Sequence, residues 1–234
     1  TTYNNRLEKA ARVICQAMNA PDIIGTVEVE KKAVLDALAA KIDVIANSGC
    51  ATAPHYVAYL FEGNDIGAID VGFLVKTEEV SAGVPRVTVN SVTQEGLCTL
   101  FKDASGNDVT DVGAAPNGCP QNGDFLNDRP SLFLDATVNA ANGAAEDLTV
   151  VVNHLRSLGS SNSISSGTNG YATAGARVRA KRQQQAVELA NRIQQRQVAD
   201  PGERIVLVGD FNAFEFNDGL GDSMGTIMGT PAAD

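Results

Sequence analysis

Three short stretches of this chain place polar groups of catalytic type where an apolar run ends. They are APDIIGTVEVE, with Glu28 and Glu30; LTVVVNHLRS, with Asn153 and His154; and RIVLVGDFNAFE, with Asp210 and Asn212. Taken singly, each has a structural explanation. Glu28 fits a solvated position on an alternating edge strand. Asn153 and His154 fit a polar strand terminus, with the imidazole bonded to a nearby carbonyl. Asp210 and Asn212 fit a turn, since both residue types cap and bend chains. A turn does not explain Phe211 between them, directly after an apolar run that reads as a buried strand. Together the three sets supply the parts needed to hydrolyse a phosphoester with a hard cation. Carboxylate oxygen suits Mg²⁺ or Mn²⁺, and such an ion stabilises charge on the phosphate while an aspartate orients water. Asparagine and histidine bond the phosphoryl oxygens.

The elements that must position these groups are legible as periodicity. Leu7, Ala11, Ile14, Cys15 and Met18 predict a helix over 5–19, ended at Asn19-Ala20-Pro21. A strand follows at 23–29, and Val34, Leu35, Leu38, Ile42 and Ile45 mark a second helix that ends near 47–49. A strand-rich block covers 56–61, 68–75, 86–92 and 132–138, and 148–152 has the look of a central strand buried on both faces. Residues 157–176 are rich in Ser, Gly and Asn and predict a mobile loop. Ala186, Leu189, Ala190 and Ile193 then give an amphipathic helix within 177–197, with Arg and Gln on its other face. The closing strand is 204–209. Apolar strands of this kind need helices over their faces, so the expected fold class is a layered α/β sandwich. No internal repeat or dividing linker breaks the 234 residues, which suit one domain.

Composition narrows the function classes. Hydrophobic residues make up 44% of the chain, enough for a sizeable core, and no run of about 18 apolar residues marks a membrane span. The net charge of −10 argues against a broadly basic nucleic-acid surface but leaves room for phosphate chemistry at a cation. Four cysteines without a CxxC pair, beside two histidines, do not make a zinc site. Cys98 and Cys119 bracket a long polar loop, and a disulfide closing it would imply an oxidising compartment. The alternative is four reduced thiols, with Cys15 simply part of a helix's apolar face.

The order PDIIGTVEVE, IDVGFLV, NDRPSLFLDATV, VVVNHLRS, RIVLVGDFNAFE resembles the endonuclease/exonuclease/phosphatase superfamily over essentially the whole chain. That metal-dependent family includes pancreatic deoxyribonuclease, abasic-site endonucleases, sphingomyelinases and inositol phosphatases. The segments look closest to its bacterial secreted nuclease-like members. The resemblance implies a deoxyribonuclease-like four-layer α/β/β/α sandwich, a Mg²⁺ cofactor with Mn²⁺ or Ca²⁺ as alternatives, and a nucleic acid or another phosphoester as substrate. It implies a secreted or extracytoplasmic location. By motif, Glu28 stands at the metal-binding glutamate and His154 at the histidine that contacts the scissile phosphate. Asp210 stands at the aspartate that activates water, and Asn212 at the phosphate-bonding amide. Arg129 falls where many members have a phosphate-contacting arginine, Asp70 where a carboxylate would orient His154, and Asn153 adjoins that histidine as a further substrate contact. Arg156 replaces a common lysine and faces either a substrate phosphate or solvent.

Two departures accompany the resemblance. Val27 replaces the glutamine that usually precedes the metal glutamate. The family's late aspartate–histidine pair and its first, asparagine-bearing strand have no match, so the chain reads as incomplete at both ends. The expected activity is metal-dependent phosphodiester hydrolysis. The alternatives are a phosphatase or lipid phosphodiesterase on the same fold, and a non-catalytic binding module.

Overall fold

The computed structural model describes residues 2–110, 113–115, 118–216 and 221–231. The chain opens with α1 (Thr2–Arg12), which widens into a π-helical turn at Val13–Ala17. It continues through β1 (Ile23–Val29), α2 (Lys32–Asp43), the short α3 (Ile45–Ser48), β2 (Tyr56–Leu60) and β3 (Asp70–Lys76). A small hairpin, β4 (Glu79–Ser81) and β5 (Val84–Pro85), leads into β6 (Val87–Glu95). After the long polar loop come β7 (Ser131–Asn139), β8 (Ala145–His154), α4 (Ala174–Ala199), β9 (Ile205–Asp210) and α5 (Ser223–Ile227).

Two sheets stack face to face. The first has the order β1-β3-β2, all antiparallel, and the second β6-β7-β8-β9, antiparallel except for the parallel β8–β9 pair. The reason for stacking is visible in β3. Six of its seven residues are buried, and alternate ones serve different cores. Leu74 faces the helices α1 and α2, among Ala11, Ile14, Leu35 and Ile42. Val71, Phe73 and Val75 face the second sheet, against Leu132, Leu134, Val150 and Val152. On the far side, Phe133 and Val151 pack under Leu189 and Ile193 of α4. Each such side chain contributes roughly 1.5–3 kcal/mol when fully buried, and both sheets are apolar on two faces, so the expected α/β/β/α layering results. Gly25 lets the sheets approach closely: a Cβ there would lie 2.6 Å from a Val208 methyl and 3.1 Å from one of Val152.

Three expectations need correcting. The strand RIVLVG is not fully buried. β9 pairs only with β8 among the described residues, and Val206 is 46% exposed while Ile205 and Leu207 pack under α4. The polar residues of α4 are not confined to a solvent face, because Lys181, Arg182 and Gln185 are buried. The core stripe Val178, Ala186, Leu189, Ile193 runs through positions 182 and 185, so these side chains point inward and hydrogen-bond loops lying beneath them. Cys15 is more than an apolar helix residue: it is bonded to Cys50, alongside the Cys98–Cys119 disulfide. The second disulfide ties a loop whose Phe101 and Val109 form a small core with Leu126, and Phe101 stacks on Tyr171. The Ser/Gly/Asn-rich loop is irregular as expected, but Arg179 donates to the Ser161 carbonyl and Gly175 N–H to that of Ser163. The β4–β5 hairpin and α5 had no clear sequence signal.

Candidate active site

Parallel pairing brings the C-terminal ends of β8 and β9 to one edge of the sheet, where α/β folds hold ligands. The register sets Asn153 opposite Gly209 and His154 opposite Asp210. Gly209 is required for this approach. Its φ is 121°, and a Cβ would lie 2.0 Å from the Asn153 carbonyl oxygen. Beyond it the two functional side chains emerge side by side, with His154 Nε2 3.9 Å from Asp210 Oδ2. That separation is an ion-pair distance, longer than a hydrogen bond.

His154 is 5% exposed and its Nδ1 has no hydrogen-bond partner. Burial and then the Arg129 guanidinium lower its pKa from 6.5, against the opposing pull of Asp210, Glu28 and Asp65. These surroundings favour the neutral imidazole. Asp210 is exposed, and its Oδ1 accepts the Asn212 N–H at 2.8 Å, an Asx turn. Asn212 takes the left-handed conformation (φ 49°) that asparagine tolerates, and its side-chain amide donates to the Leu155 carbonyl at 2.9 Å. One amide hydrogen remains available for a ligand. Phe211 packs under α4 with Ile205 and Leu207, which explains the apolar residue between two polar ones.

Glu28 reaches the same region from the first sheet. The β1–β3 register slips by one residue between Thr26 and Val29, and Glu28 sits in that bulge at φ 56° with its side chain exposed. A non-glycine residue held there carries strain of about 1–3 kcal/mol. Val27, beside it, packs between the sheets.

The remaining expected residues are placed differently. Arg129 is not an open phosphate contact. Its Nη1 pairs with Asp65 at 2.6 Å, while Nε and Nη2 donate to the His154 and Leu155 carbonyls at 3.2 Å, so it clamps the end of β8. Asn153 is not at the substrate face. It is 0% exposed, accepts from Ser131 at 2.7 Å and donates to the Val151 and Val208 carbonyls, stitching β7, β8 and β9 together. Asp70 does not orient His154. Its Oδ1 accepts from Gly63 N–H at 2.8 Å, and burial raises its pKa to about 6, against that hydrogen bond and with the help of Glu62 and Asp65. His55, the other imidazole, meets Asp43 ahead of β2, at the far end of the first sheet.

Sequence reasoning missed the residues that hold these ends together. Arg182, 1% exposed, donates to the Arg156 carbonyl at 2.5 Å and to the Asn212 carbonyl at 2.7 Å, tying the loop after β8 to the loop after β9. Gln185 accepts from Arg156 N–H and donates to the Leu126 carbonyl. Lys181 meets Asp128 at 2.9 Å. Positions 182 and 185 share one helical stripe with Val178 and Leu189, a spacing that residue type alone conceals.

The donor set bears on the implied cation. Among the described residues no three His, Cys, Asp or Glu side chains converge to hold an ion. Mg²⁺ keeps several waters and is commonly held by one or two carboxylates plus substrate phosphate, which needs no such cluster. The exposed Glu28 carboxylate fits that mode.

No protein-family model matches the chain, and no curated protein matches it. Among solved structures, it is similar to truncated Caenorhabditis elegans TDP2, at 14% identity and a TM-score of 0.48, over 92% of this chain and 58% of that one. It is also similar to ANGEL2, a 2′,3′-cyclic phosphatase, at 16% identity and a TM-score of 0.41, over 90% of this chain and 43% of that one. The chain thus spans less than two thirds of the length of either.

Proposed function

We propose that these layers form one catalytic domain that hydrolyses phosphodiesters with a divalent cation, and that the protein is a secreted nuclease. The observation that carries this reading is the parallel β8–β9 register, which sets His154 opposite Asp210 at a sheet end, with Glu28 near enough to act on the imidazole's charge. The strained bulge at Glu28 supports it, because a fold keeps such a conformation where the displaced side chain has a task. Asp210, one oxygen fixed by the Asn212 N–H, takes the proton from the attacking water through its other oxygen. Neutral His154 donates to a phosphoryl oxygen, as does the free amide hydrogen of Asn212. Glu28 would hold Mg²⁺, or Mn²⁺ or Ca²⁺, which when bound supplies positive charge to the phosphate. Arg129 and Arg182 keep the two strand ends in register with each other.

A secreted location is supported by two disulfides, which persist in oxidising compartments. Among the described residues no helix is long and apolar enough to cross a membrane. The net charge of −10 favours a second reading, a phosphatase or lipid phosphodiesterase, since a nuclease gains affinity by neutralising phosphates.

The test is metal-dependent hydrolysis across DNA, RNA, sphingomyelin and inositol phosphates, with Asp210→Asn and His154→Gln as controls. Each substitution is expected to lower kcat about 10²–10⁴-fold. Undiminished turnover in both variants removes the assigned roles. A preference for a lipid or a phosphomonoester selects the second reading.

A further inference from the structure

Beyond Asn212 the chain reads AFEF, and the two phenylalanines do not join the core. Phe214 is 53% exposed and Phe216 61%, yet their rings stack on each other, centroids 5.2 Å apart and planes within 8°. Two exposed rings held parallel leave outer faces open to a third planar group. They also lie close to the proposed chemistry. Phe214 is two residues and Phe216 four residues from Asn212, so their backbones are within roughly 7 and 14 Å of it even at full extension.

A cation stands on the neighbouring loop. Arg156, two residues after His154, has its backbone held by Gln185 and Arg182, while its guanidinium has no hydrogen-bond or ion-pair partner among the described residues. The same Arg182 guanidinium grips the Asn212 carbonyl, so the free cation and the stacked rings belong to adjoining loops. Glu215, exposed between the rings, disfavours a phosphate directly over them. A planar group on the rings and its phosphate on Arg156 satisfy both charges.

We propose that Phe214, Phe216 and Arg156 form a nucleotide subsite beside the scissile phosphate, in which an unpaired base stacks on the phenylalanine pair and its phosphate meets Arg156. The substrate class is then single-stranded nucleic acid, because a base within a duplex offers no free face for the rings. The inference rests on the phosphodiesterase reading for its location, and its test is separable from that reading.

Binding of a phosphorothioate-linked oligothymidylate, which resists cleavage, is compared in Mg²⁺ with the same sugar–phosphate chain lacking bases. The full protein is expected to bind the base-bearing chain about tenfold more tightly, within the range for stacking on aromatic side chains. Phe214→Leu/Phe216→Leu keeps apolar bulk without a π face and should bring that ratio close to one. Arg156→Gln should weaken both chains alike and lower the salt slope by about one. A ratio unchanged in the leucine pair, no preference in the wild type, or transfer of the phenylalanine-dependent binding to sphingomyelin vesicles overturns the subsite. Cleavage of unmodified oligonucleotide by the wild type, with the ratio unmoved by the leucine pair, overturns the subsite alone. A lost ratio without any cleavage supports base binding and overturns the hydrolytic reading.

Discussion

At the scale of single residues, the site holds side chains in states that carry a cost: Glu28 in the left-handed region, and His154 buried with one nitrogen unpartnered. Asp70, bonded to Gly63 rather than to His154, carries a cost of its own. Folding raises its pKa from 3.8 to about 6, chiefly through burial, so between those values the folded chain binds more protons than the unfolded one. Stability is therefore greatest below about pH 3.8 on this account, falls as pH rises through the window, and levels off above about 6. Asp70→Asn keeps an acceptor for the Gly63 N–H and abolishes the titration. It should exceed the wild type at about pH 7.5 by on the order of 2–3 kcal/mol, with the gap closing towards pH 4, as read from urea unfolding. Equal stability at both pH values would remove Asp70 from this role. The motif residues themselves were legible because a buried apolar run must end somewhere, and Asp, Asn and His at that point stand out. The bulge at Glu28 was not, since nothing in TVEV marks an extra residue. Nor was the Arg129–Asp65 pair, whose partners are 64 positions apart and meet only when the loop before β3 folds against β7.

At the scale of elements, the active edge depends on α4 as much as on the strands that carry the reacting groups. The 148–152 run of β8 could be read as a central strand because both its faces are apolar, and β8 is buried from Thr149 to His154. β3 proves equally buried, six of its seven residues. The inward role of α4 was obscured because arginine and glutamine are ordinarily assigned to solvent. Here the buried Arg182 guanidinium bridges the carbonyls of two loops, Arg156 and Asn212. Arg182→Met removes these two hydrogen bonds among its contacts and should cost about 3 kcal/mol of stability, since each acceptor left without its donor costs roughly 1–3. Arg182→Lys is the more informative change. It keeps the charge but not the fork, so the fold should survive while kcat falls by about ten- to a hundredfold with KM little changed, the pattern of misplaced reacting groups. A lysine variant with wild-type kcat would show that the bridge is only structural.

At the scale of the whole molecule, stability rests on two covalent ties as well as on the stacked layers. Cys15–Cys50 lies inside the core between the helices and the first sheet and closes a loop of 35 positions. Cys98–Cys119 closes one of 21 and secures the loop whose Phe101 packs on Tyr171 ahead of α4. The loop-closure account assigns about 4 kcal/mol to the first and about 3 to the second. Such losses approach the entire stability of a typical domain, roughly 5–15 kcal/mol, so a reducing environment would leave little margin. Urea unfolding of the Cys15→Ser/Cys50→Ser and Cys98→Ser/Cys119→Ser proteins provides the check. The first pair should lose more, because it combines the larger loop with two hydroxyls placed in an apolar core. If the second pair proves costlier, the polar loop contributes more to the native packing than its small core suggests, and loop entropy is not the main source of the stabilisation.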